Sequence, residues 1–156
     1  MEEFRAMRRS DRAMTEAEAR QLLAGGEYGV LSMCGEGEAG YGVPLSYAVD
    51  GEKIYFHAAK EGRKLEELRR HPRASFCVVG RTELLPEKFS TRFESVIAEG
   101  EVSEIEGEEK LAALRALAAK YSPEFLAEGV AYIARAAGKT TVLRLTLRHL
   151  SGKHRL

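Results

Sequence analysis

Between Tyr28 and Ala59 three apolar runs follow one another with only turns between them, and this spacing restricts the chain to an antiparallel sheet. Parallel neighbours would need a crossover of about a dozen residues or more. The runs are YGVLSMC (28 to 34), GVPLSYAV (42 to 49) and KIYFHAA (53 to 59). The glycine-rich turn GEGEAG joins the first two, and Asp50 with Gly51 marks a hairpin before the third. RASFCVV (73 to 79) reads as a fourth strand able to continue past Gly80 towards Leu85, and FESVIAEGEVSEI (93 to 105) as a long fifth with a bulge or bend at Gly100. In TTVLRLTLRHL (140 to 150) Leu143, Leu145 and Leu147 alternate with Arg144, Thr146 and Arg148, the period of a half-buried strand. Strands outnumber helices, so the expected fold is mainly β in an α+β arrangement: a six-stranded antiparallel barrel with flanking helices, because closure removes exposed edges.

The helices are marked by their ends. Thr15 and Glu18 form a capping-box pattern before EAEARQLLAG, which Gly25 stops. Leu111, Leu114, Ala118 and Tyr121 make one helical stripe after Gly107, with Leu117 beside it, and Ser122 with Pro123 opens a further helix to about Ala137. Residues 1–14 are charged and aperiodic, as in a flexible arm. A length of 156 residues suits one domain over 1–156.

The third strand runs into a polar loop with Gly62, and a helix begins at Arg63 and Lys64, carries Leu65 and Leu68 inward and stops at Pro72. Helix starts have N–H groups without intrahelical partners and favour negative charge, so two cations there are mismatched unless an anion joins them. A phosphate gripped by Arg63 and Lys64 answers that mismatch; a merely solvated helix start is the other reading of the same residues. Upstream, Pro44 cannot donate to a ladder, so its strand is an edge, a bulge or a surface left for something else to cover. Pro44, Ser46 and Ala48 give it a small face on which a planar group could lie, opposite Val43, Leu45, Tyr47 and Val49.

Basic and acidic side chains balance at 24 each, so bulk charge points to neither nucleic acid nor an anionic membrane. Cys34 and Cys77 sit in apolar runs without metal-ligand spacing and read as buried free thiols. No apolar stretch is long enough for a signal peptide or a membrane span, which leaves a cytoplasmic location as the default expectation. His57 is open to two readings, an imidazole satisfied in the barrel wall and a ligand contact. No catalytic acid or base is named by the sequence.

The order of VLS (30 to 32), VPLSY (43 to 47), IYFHAAKEGRKLEEL (54 to 68), RASFCVV (73 to 79), FESVIAEGEV (93 to 102) and LSGK (150 to 153) resembles the FMN-binding split barrels of the pyridoxamine 5′-phosphate oxidase superfamily, and within it the branch related to nitroimidazole-resistance proteins. The resemblance implies a six-stranded split β-barrel and a homodimer with FMN at the subunit interface. It implies that Arg63 and Lys64 bind the FMN phosphate, with Lys60 and Gly62 in the same cofactor set. Val43, Pro44, Leu45, Ser46 and Tyr47 would line the ring largely through main chain, His57 and Ala58 would lie near the ring or its ribityl chain, and Ser95 would join the cofactor region. The activity implied is a flavin-dependent oxidoreductase passing electrons from a reduced nicotinamide to a small organic acceptor such as a nitroaromatic. A flavin-binding protein without turnover and a haem-binding protein on the same barrel are the alternatives. The chain lacks tryptophan and ends in SGKHRL, unlike the tryptophan- and arginine-rich ending of the oxidases proper, which argues against vitamin B6 oxidation.

Overall fold

The computed structural model describes residues 4–35 and 39–156. Seven strands form one sheet: β1 (Gly29–Met33), β2 (Tyr41–Leu45), β3 (Ala48–Asp50), β4 (Lys53–Ala58), β5 (Arg73–Leu85), β6 (Ser90–Ile105) and β7 (Thr141–Arg155). Their order is β2-β1-β5-β6-β7-β4-β3, and every pairing is antiparallel. The expected mainly antiparallel split barrel is present, with a corrected strand count of seven instead of six. The run GVPLSYAV is not one strand: β2 pairs with β1, β3 pairs with β4, and those two pairs sit at opposite edges of the sheet. Only Ser46 and Tyr47 join β2 to β3. The two edges are therefore tied by chain instead of by a hydrogen-bonded ladder, and the barrel is split there.

The inward positions of β1, β5, β6 and β7 supply Leu31, Phe76, Val78, Val96, Ala98, Leu143 and Leu145, all buried in one core with Tyr47 and Phe56. Phe76 meets Tyr47 and Phe56 edge to face, with centroids 4.8 and 4.9 Å apart. Burying each such side chain contributes about 1.5–3 kcal/mol. Leu143, Leu145 and Leu147 point inward as their alternation requires, and β7 runs on through Ser151 to Arg155 because that end pairs with Phe93 to Ile97 of β6. The β6–β7 register shifts between Glu99 and Gly100, the bend expected there.

Among the described residues four α-helices flank the sheet. α1 (Glu16–Gly25) starts on its capping box, with Thr15 Oγ1 accepting the Glu18 N–H and Glu18 Oε2 accepting the Thr15 N–H. α2 (Arg63–Arg70) follows β4. α3 (Gly107–Tyr121) is pinned to the wall by Glu109, whose carboxylate accepts from Arg144 Nη1 and from the Tyr55 hydroxyl, each at 2.9 Å. The Arg144 bond holds the Glu109 carboxyl below its ordinary value, while burial, then Glu109, pushes Tyr55 up to about 12. α4 (Leu126–Ala136) is shorter than the helix expected from Ser122, because Pro123–Phe125 forms a 3-10 turn first.

Two cysteine expectations are corrected. Cys34 lies just past β1 and is exposed, and Cys77 is half-buried on the outer face, because Phe76 and Val78 take the inward positions of β5. The middle of the GEGEAG turn, residues 36–38, and the first three residues of the arm lie outside the described residues. The rest of the arm lies along β7, where Ala13 bridges Lys153 and the Phe4 ring stacks on His149 with centroids 4.6 Å apart.

Candidate functional site

The start of α2 has an unusual backbone. Gly62, its N-cap, has φ +135° and ψ 165°, a conformation essentially closed to other residues, and no atom lies within 4 Å of where a Cβ would project. Space and backbone access therefore coincide ahead of Arg63 and Lys64. Gly62→Ala is expected to lower the unfolding free energy by about 1–3 kcal/mol through φ strain alone. Urea denaturation reads this directly; an alanine variant as stable as the parent would mean that the helix start relaxes to negative φ.

Tyr41 and Glu67 both help to orient Arg63. Its guanidinium carbon lies 4.0 Å from the centroid of Tyr41, the first residue of β2, and its Nε is 3.4 Å from Glu67 Oε1 one turn on. Glu67 is 5% exposed, and its Oε2 has no hydrogen-bond partner among the described residues. Lys64 is half-buried, and burial lowers its pKa from the ordinary lysine value. A bound anion would favour the ammonium and reverse that shift. Lys60 is exposed on the loop before Gly62, and Ala58, partly buried, packs against the core.

The edge strand β2 comes next to this basic start through Tyr41. Val43 and Leu45 pack against the core, whereas Gly42, Pro44 and Ser46 are exposed, so the outward side is made of small residues. Tyr47 is buried: its hydroxyl donates to the Leu23 carbonyl, and burial pushes its phenol well above the ordinary value. Its main chain is also engaged, because the Tyr121 hydroxyl accepts the Tyr47 N–H at 2.9 Å and Lys120 Nζ donates to the Tyr47 carbonyl at 3.0 Å. The end of α3 thus supplies the partners that a ladder would have given at the break between β2 and β3.

Ser46 and His57 meet at a cavity of about 600 Å³ between the barrel wall and the α3–α4 pair. His57 is exposed, and its strand neighbour across the ladder is Val142. Tyr121, Phe125, Tyr132 and Ile133 form much of the opposite wall. Sequence reasoning missed that wall, although Tyr121, Phe125 and Tyr132 fall at helix-compatible spacings of four and seven. From Ala58 to Gly62 the chain can span at most about 14 Å, so the cavity and the basic helix start are close neighbours. Ser95 stands apart: it faces outward from β6 opposite Lys153 and Val79 and borders a second cavity of about 640 Å³ beneath the N-terminal arm. Among the described residues no group of three or more His, Cys, Asp or Glu side chains is placed to hold a metal ion, and no helix is long and apolar enough to cross a membrane.

An antiparallel barrel opened at Ser46–Tyr47, with a basic helix start against its small-residue edge strand, defines a split-barrel protein. The chain belongs to the pyridoxamine 5′-phosphate oxidase family, whose sequence model matches residues 15–154. No curated protein sequence matches it. Among solved structures it is similar to a conserved hypothetical protein from Mycobacterium tuberculosis, at 22% identity over 96% of this chain and 91% of that one, with a TM-score of 0.80. It is similar to the FAD and heme binding protein from Mycobacterium smegmatis, at 19% identity over 90% of this chain and 71% of that one, with a TM-score of 0.78. A protein from Bacteroides thetaiotaomicron provisionally named for 5-nitroimidazole antibiotic resistance is similar at 20% identity over 91% and 86% of the two chains, with a TM-score of 0.75.

Proposed function

We propose that this chain is an FMN-dependent oxidoreductase, acting as a homodimer, that passes an electron pair from a reduced nicotinamide to a small organic acceptor. The observation that carries this reading is the junction of α2 with β2: a glycine-opened helix start bearing Arg63 and Lys64, with Arg63 laid on Tyr41 at the start of the small-residue edge strand. The donor set suits a phosphate monoester, since a guanidinium, an ammonium and the N–H groups of Arg63 and Lys64 all belong to one helix start opened by Gly62. Arg63 and Lys64, with Lys60 on the preceding loop, hold the phosphate. Pro44 and Ser46 offer the ring a flat side, to which Val43 and Leu45 add main chain only. When bound, FMN supplies the two-electron transfer. Ser46 and His57 border the acceptor cavity, whose opposite wall is formed by α3 and α4. The nitroaromatic class of acceptor draws on the likeness to the Bacteroides protein.

The homodimer reading draws on the outer face of the sheet. Pro44, Val30, Cys77, Ile97 and Ser151 are register partners in one row across five strands, and Val30, Ile97 and the neighbouring Val79 are exposed. A second copy seated on that row covers these apolar groups, and Ser95 of the partner subunit completes the cofactor region. A haem-binding reading has one observation of its own, the exposed His57 in an aromatic-walled cavity, together with the cofactors of the similar Mycobacterium smegmatis protein.

The test is the visible spectrum of the purified protein before and after adding FMN, followed by reduced nicotinamide and a nitroaromatic. Expected are shifted flavin bands at one FMN per chain, bleached by the nicotinamide and restored by the acceptor. Bound FMN that is reduced no faster than free FMN leaves a flavin carrier. No binding in excess FMN removes the proposal, and a haem band that is lost in His57→Ala replaces it with the second reading.

A further inference from the structure

The cavity that joins Ser46 and His57 has a one-sided charge pattern. Apart from Glu128, its α3 and α4 walls are apolar or aromatic, with Leu114, Leu117, Tyr121, Tyr132 and Ile133 among them. Among the described residues no lysine or arginine lines it, and Glu128, exposed on α4, is its single carboxylate. The nearest cation along the chain, Lys120, is not in the lining: its ammonium donates to the Tyr47 carbonyl at 3.0 Å and lies 3.7 Å from the Tyr47 ring centroid and 5.2 Å from that of Tyr121. Arg135 and Lys139 share the α4 end of the molecule and are exposed, but neither lines the cavity. This contrasts with the other large cavity, which is bordered by Arg5, Arg20, Arg148 and Lys153.

We infer that this cavity takes planar aromatic molecules that are neutral or cationic, that it rejects their anionic counterparts, and that Glu128 sets the preference; the inference rests on the acceptor site proposed above. A carboxylate or phosphate entering the cavity loses water and finds no lysine or arginine in the lining to replace it, while Glu128 repels it. A neutral ring loses little hydration and gains edge and face contacts with Tyr121, Phe125 and Tyr132. A cationic ring adds attraction to Glu128 and to the same aromatic faces. The flavin phosphate is served elsewhere, by Arg63 and Lys64, so the chain separates an anion-holding end from an anion-excluding end.

The test uses three molecules of nearly one shape: 4-nitrobenzamide, 4-nitrobenzoate and 4-nitrobenzamidine. Their dissociation constants are measured by calorimetry on the full chain, with and without FMN, in the parent and in Glu128→Gln, Glu128→Lys and Tyr132→Ala. The parent is expected to bind the amide about tenfold or more tighter than the benzoate, and the amidine at least as tightly as the amide. Glu128→Gln should remove the amidine's advantage, Glu128→Lys should bring the benzoate level with or ahead of the amide, and Tyr132→Ala should weaken all three. Both changed residues are exposed, so folding is checked by an unchanged melting temperature. Benzoate binding as tight as the amide in the parent, an order unmoved by Glu128→Lys, or no binding of amide or amidine overturns the inference. Because these readouts need no flavin, a charge order without FMN binding sinks only the redox proposal, and FMN binding without a charge order sinks only this one.

Discussion

A chain carrying Arg63→Ala and Lys64→Ala together is expected to bind FMN roughly 10²- to 10⁴-fold more weakly than the parent while keeping its fold. Charge-assisted hydrogen bonds each contribute roughly 1.5–3 kcal/mol, so two lost together amount to roughly 3–6 kcal/mol of binding. The single variants separate binding from stability. Arg63 neighbours Glu67, a 5% exposed carboxylate, so removing the guanidinium leaves that buried charge less compensated and should also lower the melting temperature. Lys64 behaves the other way. Burial lowers its pKa, so at neutral pH the folded state holds a charge that it disfavours; stability should rise as pH climbs from that lowered pKa towards the ordinary lysine value. Lys64→Ala is therefore expected to lose FMN affinity without losing stability, which makes it the decisive variant. A fluorescence titration of FMN on each variant, beside its thermal melt, checks both halves. Undiminished FMN affinity in Lys64→Ala and in the double variant would return these residues to an ordinary solvated helix start.

What the sequence could show depended on whether the partner of each residue was local. The Thr15–Glu18 cap, the start of α2 at Arg63 and the alternation of Leu143, Leu145 and Leu147 rest on interactions within a few residues or on one strand's own period, and each appears where it was expected. The break at Ser46–Tyr47 was hidden because alternation from Val43 to Val49 reads as a single strand. The chain there passes from one sheet edge to the other, and Tyr47 and Ala48 are both buried in succession, held by Tyr121 and Lys120 from more than seventy residues away. Similarly, SGKHRL has little strand character of its own and is strand because β6 lies beside it. Of the candidate site, Arg63, Lys64, Gly62, Pro44 and Ser46 were legible from local chemistry. The Tyr41 ring beneath Arg63 and the α3–α4 wall facing His57 were not, since only tertiary packing brings them there. Ser95 lies on an outer face and borders the cavity beneath the N-terminal arm, not the one that Ser46 and His57 line, a separation that the local sequence around it does not show.

Gly100→Ala is expected to be severely damaging to this barrel. A Cβ at Gly100 would stand 2.0 Å from the Thr146 carbonyl oxygen, 2.9 Å from its carbon and 3.0 Å from Leu145 Cδ2. At Gly26 the conflicting atoms are the Tyr47 hydroxyl and a Val78 methyl, which are side-chain atoms; at Gly100 the obstacle is backbone in the neighbouring strand. The clash falls where the β6–β7 register shifts: Glu99 pairs with His149 and Gly100 with Leu147, so β7 already bulges at Arg148 and brings its backbone against Gly100. Relief requires β6 and β7 to part. β7 also pairs with β4 and carries Leu143 and Leu145 into the core, so parting it would loosen a buried ladder on both sides. The expected loss is about 3–5 kcal/mol, a large share of the roughly 5–15 kcal/mol by which a domain of this size is stable. Gly25→Ala is the matched control, because Gly25 lies in α1 with nothing within 4 Å of its added methyl and should gain about 0.5–1 kcal/mol from helix propensity. Urea denaturation of the two variants beside the parent reads the contrast. Melting of Gly100→Ala within a degree or two of the parent would mean that β6 and β7 separate at little cost, and the bend would then be a tolerance of the sheet instead of a fixed point in its construction.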